Sequence, residues 1–105
     1  MKFDELEETA KQYAEAEAAR QYLMEFRKSK KALLMAEAER ESPKLPIAAQ
    51  ERYAYSHPEY LELLDGLKVA IEKSVGLKHQ LAVWQMRFET WRTQESTKRA
   101  EMNLR

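Results

Sequence analysis

Two histidines, eighteen carboxylates and no cysteine are the side chains in this sequence that could do acid–base or metal chemistry. His57 and His79 are not at helical i, i+4 spacing, and neither lies in a recognisable metal motif. His57 precedes Pro58 at an expected helix start, and His79 falls on the outer face of the following helix. Without cysteine there is no disulfide and no thiolate ligand. We therefore predict no metal site and no cofactor.

The carboxylates do not form a catalytic arrangement either. Many of them crowd into the first half of an expected helix, where they complement its dipole: Glu5, Glu7, Glu8, Glu15 and Glu17. There is no glycine-rich phosphate loop, and no serine lies in a nucleophile elbow. The sequence predicts a protein that is not an enzyme.

Basic residues alternate with aromatic residues near the C-terminal end of the sequence. Trp84, Phe88 and Trp91 are spaced four and three apart, which is the spacing of a helical interface. Cations among aromatics are also what single-stranded nucleic acid binding uses. We favour a protein interface over base stacking and predict these partner contacts: Trp84, Arg87, Phe88, Trp91, Arg92 and Arg99.

A second basic cluster lies near the middle of the first expected helix. A formal net charge of zero argues against a nucleic-acid binder drawn by a global positive field. A local phosphate track remains an alternative to a solvated basic belt. The candidate residues of this phosphate track are four in the first helix and one near the C-terminal end of the sequence: Arg27, Lys28, Lys30, Lys31 and Lys98.

The elements that must position these residues are long helices in one domain, residues 1–105. No glycine or proline interrupts about 3–41, where apolar residues recur at helical spacing. The predicted stripe is Leu6, Ala10, Tyr13, Ala16, Ala19, Leu23, Phe26, Leu33 and Leu34, with Lys30 also on it. Pro43 and Pro46 then end the helix, and a short helix from Ile47 to Tyr55 lies within a connection of about 42–56.

A second long helix is predicted over about 57–102, with Ser56 and Glu59 forming a capping box around Pro58. Its apolar residues form a heptad seam that only Ser74 interrupts: Tyr60, Leu63, Leu67, Ala70, Leu77, Leu81, Trp84, Phe88 and Trp91. Four more residues widen the first half of this stripe: Leu61, Leu64, Ile71 and Val75. Gly66 and Gly76 lie inside the helix, but neither is flanked by turn residues, so we predict that the helix is continuous through both.

A short connection between long helices predicts an antiparallel hairpin. A lone hairpin leaves an aromatic patch in water, so we expect a homo-oligomer, with a dimer forming a four-helix bundle or coiled coil favoured. The hairpin also brings the basic C-terminal region, including Arg105, beside four N-terminal carboxylates: Asp4, Glu5, Glu7 and Glu8. We therefore expect ion pairs between the two ends.

Three segments resemble small uncharacterised helical proteins encoded by tailed phages and prophages. They are Arg52-Tyr53-Ala54-Tyr55-Ser56-His57-Pro58-Glu59-Tyr60, Gly66-Leu67 and Glu89-Thr90-Trp91-Arg92-Thr93-Gln94-Glu95-Ser96, so the resemblance covers mainly residues 50–105. The first helix departs from it, and the family offers no catalytic residues. The resemblance implies a phage accessory protein.

These observations favour a helical interaction protein that binds a host or phage protein, without a cofactor. The alternatives are a single-stranded DNA-binding accessory factor in recombination or replication, and a structural coiled-coil component of a larger assembly. The N-terminal residues are acidic and amphipathic where a signal peptide is basic and then apolar, and no apolar run has membrane-spanning length. We therefore expect a cytoplasmic protein, in the host cell if it is phage-encoded, with no membrane partner.

Overall fold

The computed structural model describes residues 3–104, and these residues form three α-helices and no strand. Helix α1 spans Phe3–Glu41, α2 spans Ile47–Ser56 and α3 spans Pro58–Leu104. Helix α1 packs along α3 in the antiparallel direction, with Phe3 against Phe88 and Lys30 against Glu59. The predicted all-α hairpin with a short connecting helix is therefore confirmed.

The hairpin is a single layer of helices. Its extents are 87 × 22 × 15 Å. At 1.5 Å per residue, α3 and α2 placed end to end are about 85 Å long, and a helix with its side chains is about 10 to 12 Å wide. The molecule is therefore about two helices wide and little more than one helix thick, which leaves both broad faces of the hairpin in solvent.

The residues around Pro43 and Pro46 end α1 and begin α2. The amide of Ser42 donates to the Ala38 carbonyl at the end of α1, and the amide of Gln50 donates to the Pro46 carbonyl at the start of α2. Backbone groups on both sides of the turn are therefore hydrogen-bonded. The Gln50 side chain is buried and donates to the Leu45 carbonyl at 3.0 Å. This bond ties the loop to the first turn of α2.

The break between α2 and α3 is capped by His57, and the predicted capping box is wrong. The Ser56 hydroxyl donates back to the Arg52 carbonyl at 2.6 Å, so it belongs to the end of α2. The first-turn amide of Glu59 instead donates to His57 Nδ1 at 3.1 Å. A histidine ring nitrogen thus takes the place that a serine oxygen usually fills at a helix start.

The best-packed part of the core lies at the closed end of the hairpin, where all three helices meet. Leu34 of α1, Ala54 of α2 and Tyr60 of α3 are buried there. Partly buried side chains surround them: Met35, Tyr53 and Leu64. The hairpin is therefore anchored at the end where the chain reverses.

The seam of α3 follows the predicted heptad series from Tyr60 to Phe88, and each of these residues is buried or half-buried. Ser74 is among the most buried, at 3 % exposed. The helix runs without interruption through Gly66 and Gly76, so the prediction of one continuous helix is confirmed. Of the four residues that widen the stripe, Leu64 packs against the core at the closed end, whereas Leu61, Ile71 and Val75 are exposed.

The seam of α1 differs from the predicted stripe. Four residues that we placed on it are exposed: Ala10, Ala19, Phe26 and Leu33. The seam of α1 is instead a regular heptad series of buried and half-buried residues: Leu6, Thr9, Tyr13, Ala16, Arg20, Leu23, Arg27, Lys30 and Leu34. Long cationic side chains occupy seam positions because their aliphatic stems pack while their charged ends reach solvent or a carboxylate.

Candidate functional site

An aromatic cluster lies at the end of the hairpin where α1 begins, which we call the open end. The Phe3 ring lies 6.1 Å from Phe88 and 6.3 Å from Trp91, with both pairs edge to face. Trp84 and Phe88 are half-buried, whereas Trp91 is 37 % exposed. Arg87 stacks over the Trp84 ring at 5.5 Å. Four of the six predicted partner-contact residues are therefore neighbours in the structure, and Phe3 is a member that the sequence did not indicate.

Beyond this cluster, α3 continues without packing against another described helix. Residues 92–104 extend for about 20 Å at 1.5 Å per residue, and all are exposed except Glu95, which is half-buried. Arg92 and Arg99, the other two predicted contact residues, line a shallow groove on this segment with Thr93 and Ser96. We call Trp84, Phe88, Trp91 and the α3 segment after them the open-end surface.

The ion pairs predicted between the two ends do not form within residues 3–104. None of the cations of α3 pairs with Asp4, Glu5, Glu7 or Glu8 in this part of the chain, and Arg105 lies outside the described residues. The physical reason is register: Phe3 lies level with Phe88 and Trp91, so the cations from Arg92 onward are beyond the first described turn of α1.

The central basic cluster is largely neutralised by carboxylates of this chain. Lys30 pairs with Glu59 at 2.7 Å, and this contact holds the pKa of Glu59 below its usual value. Lys31 lies 3.9 Å from Glu51 and stacks over the Tyr55 ring. These contacts support a structural role for Lys30 and Lys31, because a lysine already paired gains less from a phosphate.

Two of the remaining candidates for nucleic-acid contact also form ion pairs with carboxylates of this chain. Lys28 pairs with Glu25 at 3.2 Å, and Lys98 pairs with Glu95 at 3.6 Å. Arg27 is half-buried on the seam. The structure does not bring the central cluster and Lys98 together, because Lys98 lies at the opposite end of the hairpin from Lys31, which contacts α2.

A polar contact crosses the middle of the seam. The Ser74 hydroxyl donates to Glu17 Oε2 at 2.6 Å, and Arg20 donates to the same carboxylate through Nε and Nη2 in a close ion pair. These hydrogen bonds, Arg20 first and Ser74 second, lower the pKa of Glu17 from 4.5 to about 2. The serine that interrupts the apolar series is thus a partner for a carboxylate of α1.

Acidification is expected to weaken the hairpin through Glu17. Because its folded-state pKa lies below the value of the unfolded chain, the contact stabilises the fold above about pH 4.5 and is lost as the pH falls towards 2. Urea midpoints measured from pH 6 to pH 2 on the wild type and on Glu17→Gln test this. The two pH profiles should converge at the acid end, and parallel profiles would contradict the assignment.

Within residues 3–104 there is no group of three or more metal-ligating side chains. No helix in the same range is long and apolar enough to cross a membrane. His79, which we predicted on the outer face of α3, is exposed. The surface features that remain are the open-end surface and the two broad faces of the hairpin.

No protein-family model matches this chain, and comparison with curated proteins and with solved structures finds nothing similar to it.

Proposed function

We propose that this chain is a non-enzymatic interaction protein that works as a homodimer and binds a protein partner through the open-end surface. The observation that carries the proposal is the unpaired end of α3. An exposed tryptophan adjoins a helical segment that packs on nothing in the described chain. Tryptophan and arginine are the residues most enriched among the dominant contacts of protein interfaces, and both are present here.

The chemistry of the open-end surface suits an amphipathic helix or a hydrophobic groove with a carboxylate rim. Trp91 presents apolar area, and Met102 and Leu104 extend this character along α3. Arg92 and Arg99 provide charged groups beside it and make no ion pair with the described residues. The resemblance to phage and prophage proteins, which covers residues 50–105, supports a partner of host or phage origin.

Replacing Trp91 with alanine is expected to weaken partner binding by about 2 to 4 kcal/mol if Trp91 is an anchor of the interface. Tagged wild type, Trp91→Ala and the surface control His79→Ala would capture proteins from a bacterial lysate, with the captured proteins quantified by mass spectrometry. A partner should be retained by the wild type and by His79→Ala and lost with Trp91→Ala. Identical capture by all three would remove Trp91 from the interface.

A single-stranded DNA-binding accessory factor is the alternative, and one observation favours it. Arg92 and Arg99 line the same groove with two hydroxyl residues and are free of ion pairs with residues 3–104. However, the hydroxyls of Thr90, Thr93 and Thr97 donate to backbone carbonyls of their own helix. Titration of a labelled oligonucleotide separates the hypotheses, because phosphate contacts weaken steeply between about 50 and 200 mM salt.

A further inference from the structure

One broad face of the hairpin carries exposed apolar residues on both long helices. Phe26 and Gly66 line the same shallow groove between α1 and α3, so they lie on the same side of the molecule. Exposed residues at helical spacing from these two share that side. We call this side the glycine face, and its apolar members are Ala19, Tyr22, Phe26 and Leu33 of α1 and Gly66, Val69, Gly76 and Val83 of α3.

The two glycines have no role inside the hairpin. A Cβ built on Gly66 or Gly76 would meet nothing within 4 Å, and neither residue has positive φ. Each therefore costs the helix roughly 1 kcal/mol relative to alanine without any gain in the packing of the single chain. Close to Gly66, Tyr22 and Phe26 stack on each other in solvent with their rings 6.0 Å apart, and Tyr22 is 67 % exposed.

The charges on the glycine face are separated by helix. The α1 positions from residue 5 to residue 36 carry three carboxylates and no cation, in the order Glu5, Glu8, Gln12, Glu15, Ala19, Tyr22, Phe26, Ser29, Leu33 and Ala36. The α3 positions from residue 66 to residue 94 carry two cations and no carboxylate, in the order Gly66, Val69, Lys73, Gly76, Gln80, Val83, Arg87, Thr90 and Gln94. The same row continues towards the closed end with Glu62 and Glu59, which line the groove beside Phe26, so the separation of charge holds for the part of the face from Gly66 to the open end. Within that part, Glu5, Glu8, Glu15, Lys73 and Arg87 form no ion pair with the described residues.

This separation makes the face complementary to itself in one orientation. A two-fold axis parallel to the long axis of the hairpin places α1 of one copy over α3 of the other, so the acidic strip meets the basic strip. A two-fold axis perpendicular to the helices places α1 over α1 and α3 over α3 and reverses the height of every residue, so the α1 carboxylates meet an α1 row that has no cation. Only the first orientation gives these carboxylates opposite charges to contact, and it is therefore the one that they favour.

The heights of the side chains agree with the parallel axis. Glu17 is level with Ser74 of the same chain through their hydrogen bond. Counting five residues along each helix from that contact puts Tyr22 level with Val69, and counting two residues the other way puts Glu15 level with Gly76. A rotation about the long axis preserves height, so Tyr22 of one copy meets Val69 and Gly66 of the other, and Glu15 lies near Lys73.

We propose that the glycine face binds a second copy of this chain about a two-fold axis parallel to the hairpin, with Tyr22 and Phe26 seated over the surface between Gly66 and Val69 of the partner. The proposal rests on the homodimer of the proposed function and names the contact surface of that dimer. In the resulting four-helix bundle all neighbouring helices are antiparallel, as in up-down bundles. The tryptophans and arginines of the open-end surface lie outside this row of α3 and stay free for another protein.

Val69→Glu and Val75→Glu form a matched pair of variants that tests the contact surface. Both valines lie on α3, at 64 % and 45 % exposed, and they are about 120° apart around the helix, so only Val69 is on the glycine face. Val69→Glu should raise the dissociation constant of the dimer on the order of a hundredfold, because each copy buries a new carboxylate. Val75→Glu should leave it within about threefold. Sedimentation equilibrium measures both values.

Mixed disulfide formation tests the axis independently of any loss of helix in the glutamate variants. The chain has no cysteine, so Tyr22→Cys and Val69→Cys each carry a single thiol. Equal amounts of the two variants, oxidised together, should give mostly the mixed dimer, because the two cysteines face each other across the parallel axis. Faster linkage of Tyr22→Cys to itself would overturn the proposed orientation.

Two further outcomes separate this proposal from the proposed function. A wild-type chain that stays monomeric at about 100 μM, a concentration at which a complex held by about 5.5 kcal/mol is half formed, would overturn the dimer and leave partner capture through Trp91 intact. Dissociation caused by Val75→Glu and not by Val69→Glu would place the contact on the opposite face and overturn the glycine face.

Discussion

Replacing Leu34 with alanine is expected to lower the free energy of unfolding by about 2 to 5 kcal/mol. Leu34 is 2 % exposed and lies where α1, α2 and α3 meet, against Ala54 and Tyr60. The shortened side chain leaves a cavity that the surrounding helices fill only in part. Urea unfolding followed by circular dichroism measures the loss, and a domain of this size has little stability in reserve.

Leu61→Ala is the control for this experiment. Leu61 is also inside a helix, but it is exposed, so the substitution removes little buried apolar area and should cost under about 1 kcal/mol. An equal loss from both substitutions would show that the closed end is not packed as described. A loss from Leu61→Ala alone would show that the broad face carrying Leu61, opposite the glycine face, is covered in solution.

The helices and their order were predictable because the signals for them are local. Prolines at 43 and 46 end a helix wherever they occur, and a heptad series of leucines and aromatics in α3 has one consistent face. The bounds of α1 agree with the prediction to the residue, and those of α2 and α3 agree to within one or two. The capping of α3 was not predictable in the same way, because serine and histidine both offer an acceptor to a first-turn amide.

The contact face of α1 was harder to predict because its apolar residues do not define one stripe. Alanines at 10, 14, 16, 18 and 19 satisfy several helical faces equally, and Phe26 and Leu33 placed the predicted stripe partly on a face other than the true seam. The true seam includes Arg20, Arg27 and Lys30. A pattern of apolar residues does not count these cations, although their aliphatic stems pack against α3. Only the register with α3 decides between these faces.

The candidate site was partly predictable. The spacing of Trp84, Phe88 and Trp91 indicated a shared face, and the structure places them together at the open end. The Phe3 contact depends on the exact lengths of α1 and the connection, which no local pattern specifies. Ser74 was visible as an interruption of the seam, but its partner Glu17 is 57 positions away and looked like one of many solvated carboxylates.

The second large expected effect is at Ala16, where the two long helices approach each other closely. This residue is buried on the seam, beside Glu17 and therefore level with Ser74 of α3. Small residues at this height let the two helices lie close enough for the Ser74 hydroxyl to reach the carboxylate. Ala16→Leu is expected to cost about 1 to 3 kcal/mol, because the added side chain forces the helices apart.

Ala18→Leu is the matched control for Ala16→Leu, since Ala18 is exposed on the outer side of the same helix turn. Leucine and alanine are both good helix formers, so this variant should unfold within about 0.5 kcal/mol of the wild type. Measuring both variants at pH 6 and at pH 2 adds a second criterion. If Ala16→Leu separates the helices at this height, it also removes the Glu17 contact, and its urea midpoint should fall less than that of the wild type on acidification. A variant that is destabilised yet keeps the full pH dependence would show that the helices yield elsewhere and that the polar contact is independent of the alanine seam.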